Sequence, residues 1–306
     1  MAARASRTSV WSALHDATRV AAGHWRWLLL AWIASIPPAW LAARPIARMF
    51  DAALGRHPDA GRILGEFDLA ALHDALSMAT SDRNTAAIFL GMLLAGLLAL
   101  LLSPLVDGML VAALRAGRPL GFGESWRGGW REYGRMFRLL LLSLLPFAAA
   151  LAAMAGAFEW AAGEDPTMLE ARVAQREWIA GIASAGLLLL VFSSLEAARA
   201  AFATDPALRS AWRAWRRGLR LLGRRPFAVL LVVLFTLATG LLLSIALNWI
   251  GIGPRHDLLV LACAQLAVLG VAWTRAARLG ALAGLAPPLS SRTVPAAPAD
   301  AGHTPA

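Results

Sequence analysis

The side chains able to do chemistry in this chain are 6 histidines, 1 cysteine and 19 acids. Five of them, His57, Asp59, Asp68, His73 and Asp74, fall in one polar stretch. Zinc ligands on a helix recur at spacings such as HxxxH or HExxH, and neither is present. The acids there scatter around the helix that the pattern predicts, so ordinary solvated loop charges are the preferred reading over a metal site. His15 and His24 sit in the N-terminal arm, His256 in a polar loop and His303 in the tail, none beside a membrane-level Ser or Asp. Gly121-Phe122-Gly123 lacks the preceding strand and the following GK[ST] of a phosphate cradle. No G-x-S-x-G and no CxxC occurs. Cys263 is a lone thiol, which excludes an intramolecular disulfide. The expectation is a protein that is not an enzyme, with no catalytic residue, no metal site and no cofactor.

The polar residues that stand out are those inside apolar runs: Asp107, Glu196 with Arg199, Asn248 and Gln265. Nine leucines between Leu90 and Leu105 contribute roughly −0.5 kcal/mol each to insertion, against about +2.5 to +3.5 for a central Asp. Insertion therefore survives Asp107, which lies eight residues before Arg115, or about 12 Å along a helix axis. Two roles stay open for it: a proton or substrate relay, and a packing acid paired to a nearby arginine. Glu196 and Arg199, one turn apart, read as a local ion pair. Asn248 and Gln265 read as interhelical hydrogen-bonding groups.

These groups need elements to hold them. The chain is 58% hydrophobic with a mean hydropathy of +0.59, beyond the 45–50% apolar usual in soluble domains. Six Leu- and Ala-rich runs, without β alternation, are long enough to cross a bilayer: His24–Ala43, Ala86–Ala113, Met136–Trp160, Trp178–Phe202, Phe227–Ile250 and Leu258–Gly280. The fold class is all-α membrane, six spans arranged as three hairpins within residues 1–285. Pro37-Pro38 should break or kink the outer end of the first span. The outer loop 44–85 should hold a short helix at Pro45–Leu54 and a second at Arg62–Ala79. Residues 286–306, rich in Pro and Ala, read as a disordered tail.

A net charge of +10 and a pI near 11.5 would point to nucleic acid in a soluble domain. The distribution points instead to a membrane. With both termini, the second and fourth loops and the adjoining helix ends on one side, that side holds 21 arginines and 7 acids, net +14. The other holds 8 and 12, net −4. Positive charge on the cytoplasmic side places both termini in the cytoplasm. No lysine occurs at all, which reads as the bias of a GC-rich genome.

Before spans one, three and five runs a basic, Trp-bearing stretch, around Trp11, Trp126 and Trp212, each predicted to be an amphipathic interfacial helix. The strongest is Asp205–Pro226: Leu208, Trp212, Trp215, Leu219 and Leu222 share one face, and Arg213, Arg216 and Arg220 lie among the arginines covering the rest. Phe122, Trp126, Trp130 and Tyr133 repeat the pattern. Trp25, Trp27, Trp40, Trp160, Trp178, Trp249 and Trp273 mark predicted span ends, where an indole sits at headgroup level. The expected partners are anionic lipid headgroups on the cytoplasmic side, with a protein partner of unknown identity and no nucleic acid.

Three segments carry a resemblance: ALGRHPDAGRILGEFDLAAL at Ala53–Leu72, SPLVDGMLVAALRAGRPLGFGESWRGGWREYGRMFRLL at Ser103–Leu140, and LEAARAAFATDPALRSAWRAWRRGLRLLGRRP at Leu195–Pro226. With the span order, the chain resembles a family of uncharacterised six-span bacterial integral membrane proteins. Its layout is also similar to the membrane domain attached to some glycerophosphodiester phosphodiesterases, but no catalytic domain accompanies it here. The resemblance implies a bacterial inner-membrane location and no particular reaction. Two functions are therefore expected in competition: a membrane scaffold or partner subunit binding anionic lipid, and a small transporter with a path near Asp107, Asn248 and Gln265.

Overall fold

The structure, a computed structural model, describes residues 9–55, 82–163, 170–252 and 257–286. Among them it is all-helical, 93% helix with no strand. The elements are α1 (Val10–Gly23), α2 (Trp25–Leu54), α3 (Asp82–Ala116), α4 (Phe122–Ala162), α5 (Glu170–Thr204), α6 (Ala211–Arg224), α7 (Pro226–Ile252) and α8 (Asp257–Leu285). All but α1 and α6 are long and apolar enough to cross a membrane. The side chains they turn outward, such as Phe89, Leu145, Ile182, Leu241 and Leu258, are exposed hydrocarbon, as a helix bundle in lipid requires.

Consecutive spanning helices from α2 to α5 pack on their neighbours, α7 pairs with α8, and α8 closes the bundle against α5 and α2. The two short helices lie on the outside of this frame, α1 along α8 and α6 along α5. The predicted helix at Arg62–Ala79 and the tail lie outside the described residues.

Two boundaries differ from expectation. α2 runs unbroken through Pro37, Pro38 and Pro45 to Leu54, absorbing the separate helix expected at Pro45–Leu54. In hydrocarbon the alternative to a helix is an unsatisfied backbone, so proline is accommodated within a span rather than ending it. The basic stretch around Trp126 is likewise not a separate helix. It is the first third of α4, a single helix of 41 residues, about 60 Å long and far beyond the ~30 Å hydrocarbon core. The turn that precedes it is short because Gly117 adopts a left-handed φ of 61°, which ends α3 as glycine commonly does. Arg118 then pairs with Glu124 at 2.9 Å, and Glu124 also accepts the Gly121 backbone N–H at 2.9 Å.

α6 seats on the bundle by an unexpected face. The buried residues are Ala211, Ala214, Gly218 and Leu221, a small-residue face, whereas the large stripe is turned outward at Trp212 and Leu219 and half-buried at Trp215 and Leu222. Without a hydrophobic force between helices in lipid, close backbone approach over small residues supplies the packing. At Gly218 the approach is closest, since a Cβ there would stand 2.5 Å from Ser194 O and 2.7 Å from Ala198 N.

Gly218→Val should therefore lift α6 off α5, costing about 1–3 kcal/mol by overpacking and opening the arginines of α6 to trypsin in reconstituted protein. Gly223→Ala, where a Cβ meets open space, should leave both melting temperature and proteolysis unchanged or slightly improved.

Candidate functional site

Five charged side chains of the spanning helices gather toward the arginine-rich end of the bundle. Three helices contribute. Asp107 comes from α3, Glu196 and Arg199 from α5, and Arg275 and Arg278 from α8. On both α5 and α8 the charged positions stand three residues apart, which puts each pair on one helix face. Packing α8 against α5 sets those faces opposite each other.

The carboxylates are the centre of the cluster. Asp107 Oδ1 lies 2.6 Å from Arg275 Nη2, and its Oδ2 lies 3.2 Å from Arg199 Nε. Glu196 accepts from Arg199 within its own helix, and Arg278 Nε approaches Glu196 Oε2 at 3.3 Å without the alignment of a hydrogen bond. The side chains of Asp107 and Glu196 are only 5% and 3% exposed. Arg199 thus bridges two acids on different helices. Arg278 also stacks over the Phe192 ring, 5.1 Å from its centroid, a desolvated cation–π contact.

A second cluster adjoins the first. Glu132 of α4 receives Arg115 of α3 at 2.8 Å and Arg135 of its own helix at 3.1 Å. Arg115 reaches on to the backbone oxygen of Phe202 in α5 at 2.6 Å. Glu132 was not singled out from the sequence because it lies in a basic, aromatic stretch that reads as a solvated face. Arg275 and Arg278 fall within the last apolar run and were counted only among the helix-end charges of the basic side. Their three-residue spacing, matching that of Glu196 and Arg199, was the available signal.

The remaining sequence candidates lie elsewhere. Gln265 Oε1 accepts the Trp32 indole N–H at 2.6 Å, joining α8 to α2. Asn248 is exposed and donates to Ser244 O within α7. The structure therefore does not gather Asp107, Asn248 and Gln265 into one cavity. Trp27, expected at headgroup level, is instead 1% exposed and donates to Val106 O of α3 at 3.1 Å. Its indole satisfies a backbone carbonyl inside the bundle, which outweighs the interfacial preference.

On the outside, Trp126 and Trp130 are exposed and meet edge to face at 6.1 Å. Trp212 and Trp215 lie 5.2 Å apart, and Trp215 donates to Ser194 Oγ at 3.1 Å. Arg213, Arg216 and Arg220 are exposed. The link into α6 is held by Asp205, which accepts Arg217 at 2.5 Å and the Ala207 N–H at 2.9 Å. Arg217 first, then the backbone donors, hold this carboxyl below its ordinary value of 3.8.

Among the described residues, no group of three or more His, Cys, Asp or Glu is placed to hold a metal ion; His57, Asp59, Asp68, His73 and Asp74 lie outside them. The six apolar helices define the class, a multi-pass α-helical membrane protein. The sequence matches no protein-family model, no curated protein and no solved structure.

Removing one partner from the buried cluster leaves an uncompensated charge, which costs about 3–5 kcal/mol. Asp107→Asn, which strips the charge facing Arg199 and Arg275, should accordingly lower the melting temperature of the purified protein. Asp107→Asn combined with Arg275→Gln should fall short of the sum of the two single losses, because the residues share one interaction. The Asp205 link has a pH signature. A carboxyl depressed in the folded state contributes stability above its ordinary value of 3.8 and loses it as pH falls through the lower, folded value. Trp fluorescence of α6 should change in that acid window in the wild type, while Asp205→Asn should show the loosened signal already at pH 7.

Proposed function

We propose that this chain is a non-enzymatic scaffold or partner subunit of the bacterial cytoplasmic membrane, with both termini cytoplasmic. In this reading three two-span hairpins, α2–α3, α4–α5 and α7–α8, are each preceded by a basic amphipathic stretch. α1, the start of α4 and α6 lie at the cytoplasmic interface, and their arginines hold anionic lipid headgroups. The observation that carries it is the state of the membrane-level acids: Asp107 and Glu196 are buried and held by arginines on neighbouring helices. A transport path needs polar groups that face a cavity and exchange partners, and carboxylates clamped on two sides fit a structural role better. The exposed arginines of α6 support the lipid contact, since each arginine near an anionic leaflet is worth about 1 kcal/mol.

Reconstitution tests both halves. Proteoliposomes of wild type and Asp107→Asn should show the same proton and counter-ion leak per folded molecule. A wild-type flux that Asp107→Asn abolishes without lowering stability would overturn the scaffold reading. Native mass spectrometry from mixed phosphatidylglycerol–phosphatidylcholine nanodiscs should show fewer retained anionic lipids for Arg213→Gln/Arg216→Gln/Arg220→Gln. Equal retention would remove α6 as a lipid-binding surface.

A further inference from the structure

A lateral cleft of about 230 Å³ opens between α2, α3 and α8. Trp27, Val106 and Arg275 stand at one end of it, and Pro38, Ala99 and Val268 at the other. Counted along the helices, these ends are 7 to 11 residues apart, roughly 10–16 Å at 1.5 Å per residue. That is close to the depth of one leaflet, half of the ~30 Å hydrocarbon core. Except for Ser35 and Ser103, the walls between the ends are apolar. The volume falls short of the roughly 300–1,000 Å³ of pockets that enclose soluble small molecules. It suits a single hydrocarbon chain.

The charged end is not neutral. Among the described residues, the carboxylates paired with Arg199, Arg275 and Arg278 are Asp107 and Glu196, so three arginines stand against two carboxylates and the cluster carries an excess of one positive charge. Of the three, Arg275 is the one that lines the cleft, and 31% of its side chain stays open. Its closest contact with Asp107 is made by the terminal nitrogen Nη2, and a guanidinium carries five donors suited to a phosphate.

From this arrangement we infer that the cleft is a binding site for one anionic phospholipid of the arginine-rich leaflet, its phosphate on Arg275 and one acyl chain laid along the α2–α3–α8 groove toward the midplane. The excess positive charge selects the headgroup, and the length and apolar walls select the chain. The inference rests on the membrane placement of the six helices and not on the scaffold role. It is also separate from the lipid contact of α6, whose arginines lie on another part of the molecule.

Photo-crosslinking in nanodiscs reads the site directly. The probe is phosphatidylglycerol carrying a diazirine in its acyl chain, and the labelled residues are mapped by peptide mass spectrometry. Labelling should concentrate on the cleft wall, at Ala31, Ala34 and Ala99, over the outward faces of α4 and α7. Unlabelled phosphatidylglycerol should compete about fivefold better than phosphatidylcholine, the preference of one arginine for an anionic headgroup. Inorganic phosphate should not compete.

Arg275→Gln should erase the preference while leaving chain labelling. Because Arg275 also belongs to the ion cluster, Ala34→Trp provides the second arm: it fills the groove without touching any charge and should abolish wall labelling at unchanged melting temperature. The triple arginine variant of α6 should label the cleft as the wild type does, so failure at one site is readable apart from failure at the other. Labelling spread evenly over the lipid-facing surface would overturn the inference. So would equal competition by phosphatidylcholine, competition by phosphate alone, or an unlabelled cleft in the full chain, which would mean that protein or nothing occupies it.

Discussion

The fold depends on placing two carboxylates, Asp107 and Glu196, inside a largely apolar bundle without leaving either alone. An isolated charge there costs several kcal/mol. The placement of α3, α5 and α8 sets Arg199 and Arg275 beside Asp107 while bringing Arg278 to Glu196. Sliding α8 by one turn would carry both its arginines past their acids. The cluster thus fixes the axial register of three helices whose leucine- and alanine-rich surfaces would tolerate many. Glu132, between Arg115 and Arg135, does the same for α4 against α3, and the Arg115 contact with Phe202 O ties that pair to α5.

Distance between helices is set by another means. Where charge fixes register, small residues fix separation. A Cβ on Gly129 would lie 2.5 Å from the Met109 side chain, and one on Gly280 would lie 3.2 Å from the Cβ of Ala17. The first lets α4 approach α3, the second lets α1 approach α8. Gly218 plays the same part for α6 on α5. Both short helices therefore dock on α5 and α8, the two helices that carry the arginines of the cluster. A disturbance of either docking surface reaches the ion pairs through a single rigid element.

How much of this could be read from the residues follows from the physics of each feature. Spans were legible because about 20 apolar residues in a row have one stable destination. Their ends were less so. The three prolines of α2 signal a break in water and not in hydrocarbon, and the amphipathic start of α4 carries no stop before Met136. The Glu196–Arg199 pair was legible because it is local to one helix. Asp107 with Arg275 is not local, and positive-inside counting treats Arg275 and Arg278 as solvated, which hid them. On α6 the eye follows Trp212 and Trp215, yet Ala211, Ala214 and Gly218 decide where the helix sits. Large residues announce a face, and small ones make the contact.

The absence of lysine bears on the same cluster. Across the whole chain it reads as a genomic bias, with no structural meaning. At position 199 it acquires one. Arg199 meets Asp107 through Nε and Glu196 through a terminal nitrogen, so one planar group links carboxylates from two helices. A lysine ammonium is a point charge on a flexible stem. It could sit beside one acid but would not hold both at fixed angles. Arg115 repeats the device, splitting its fork between Glu132 and a backbone carbonyl. At the exposed arginines of α6 either residue would satisfy the electrostatics, whereas in the bundle the shape of the cation matters as much as its charge. An Arg→Lys change is thus conservative on α6 and disruptive at 199, although both positions look alike in the sequence.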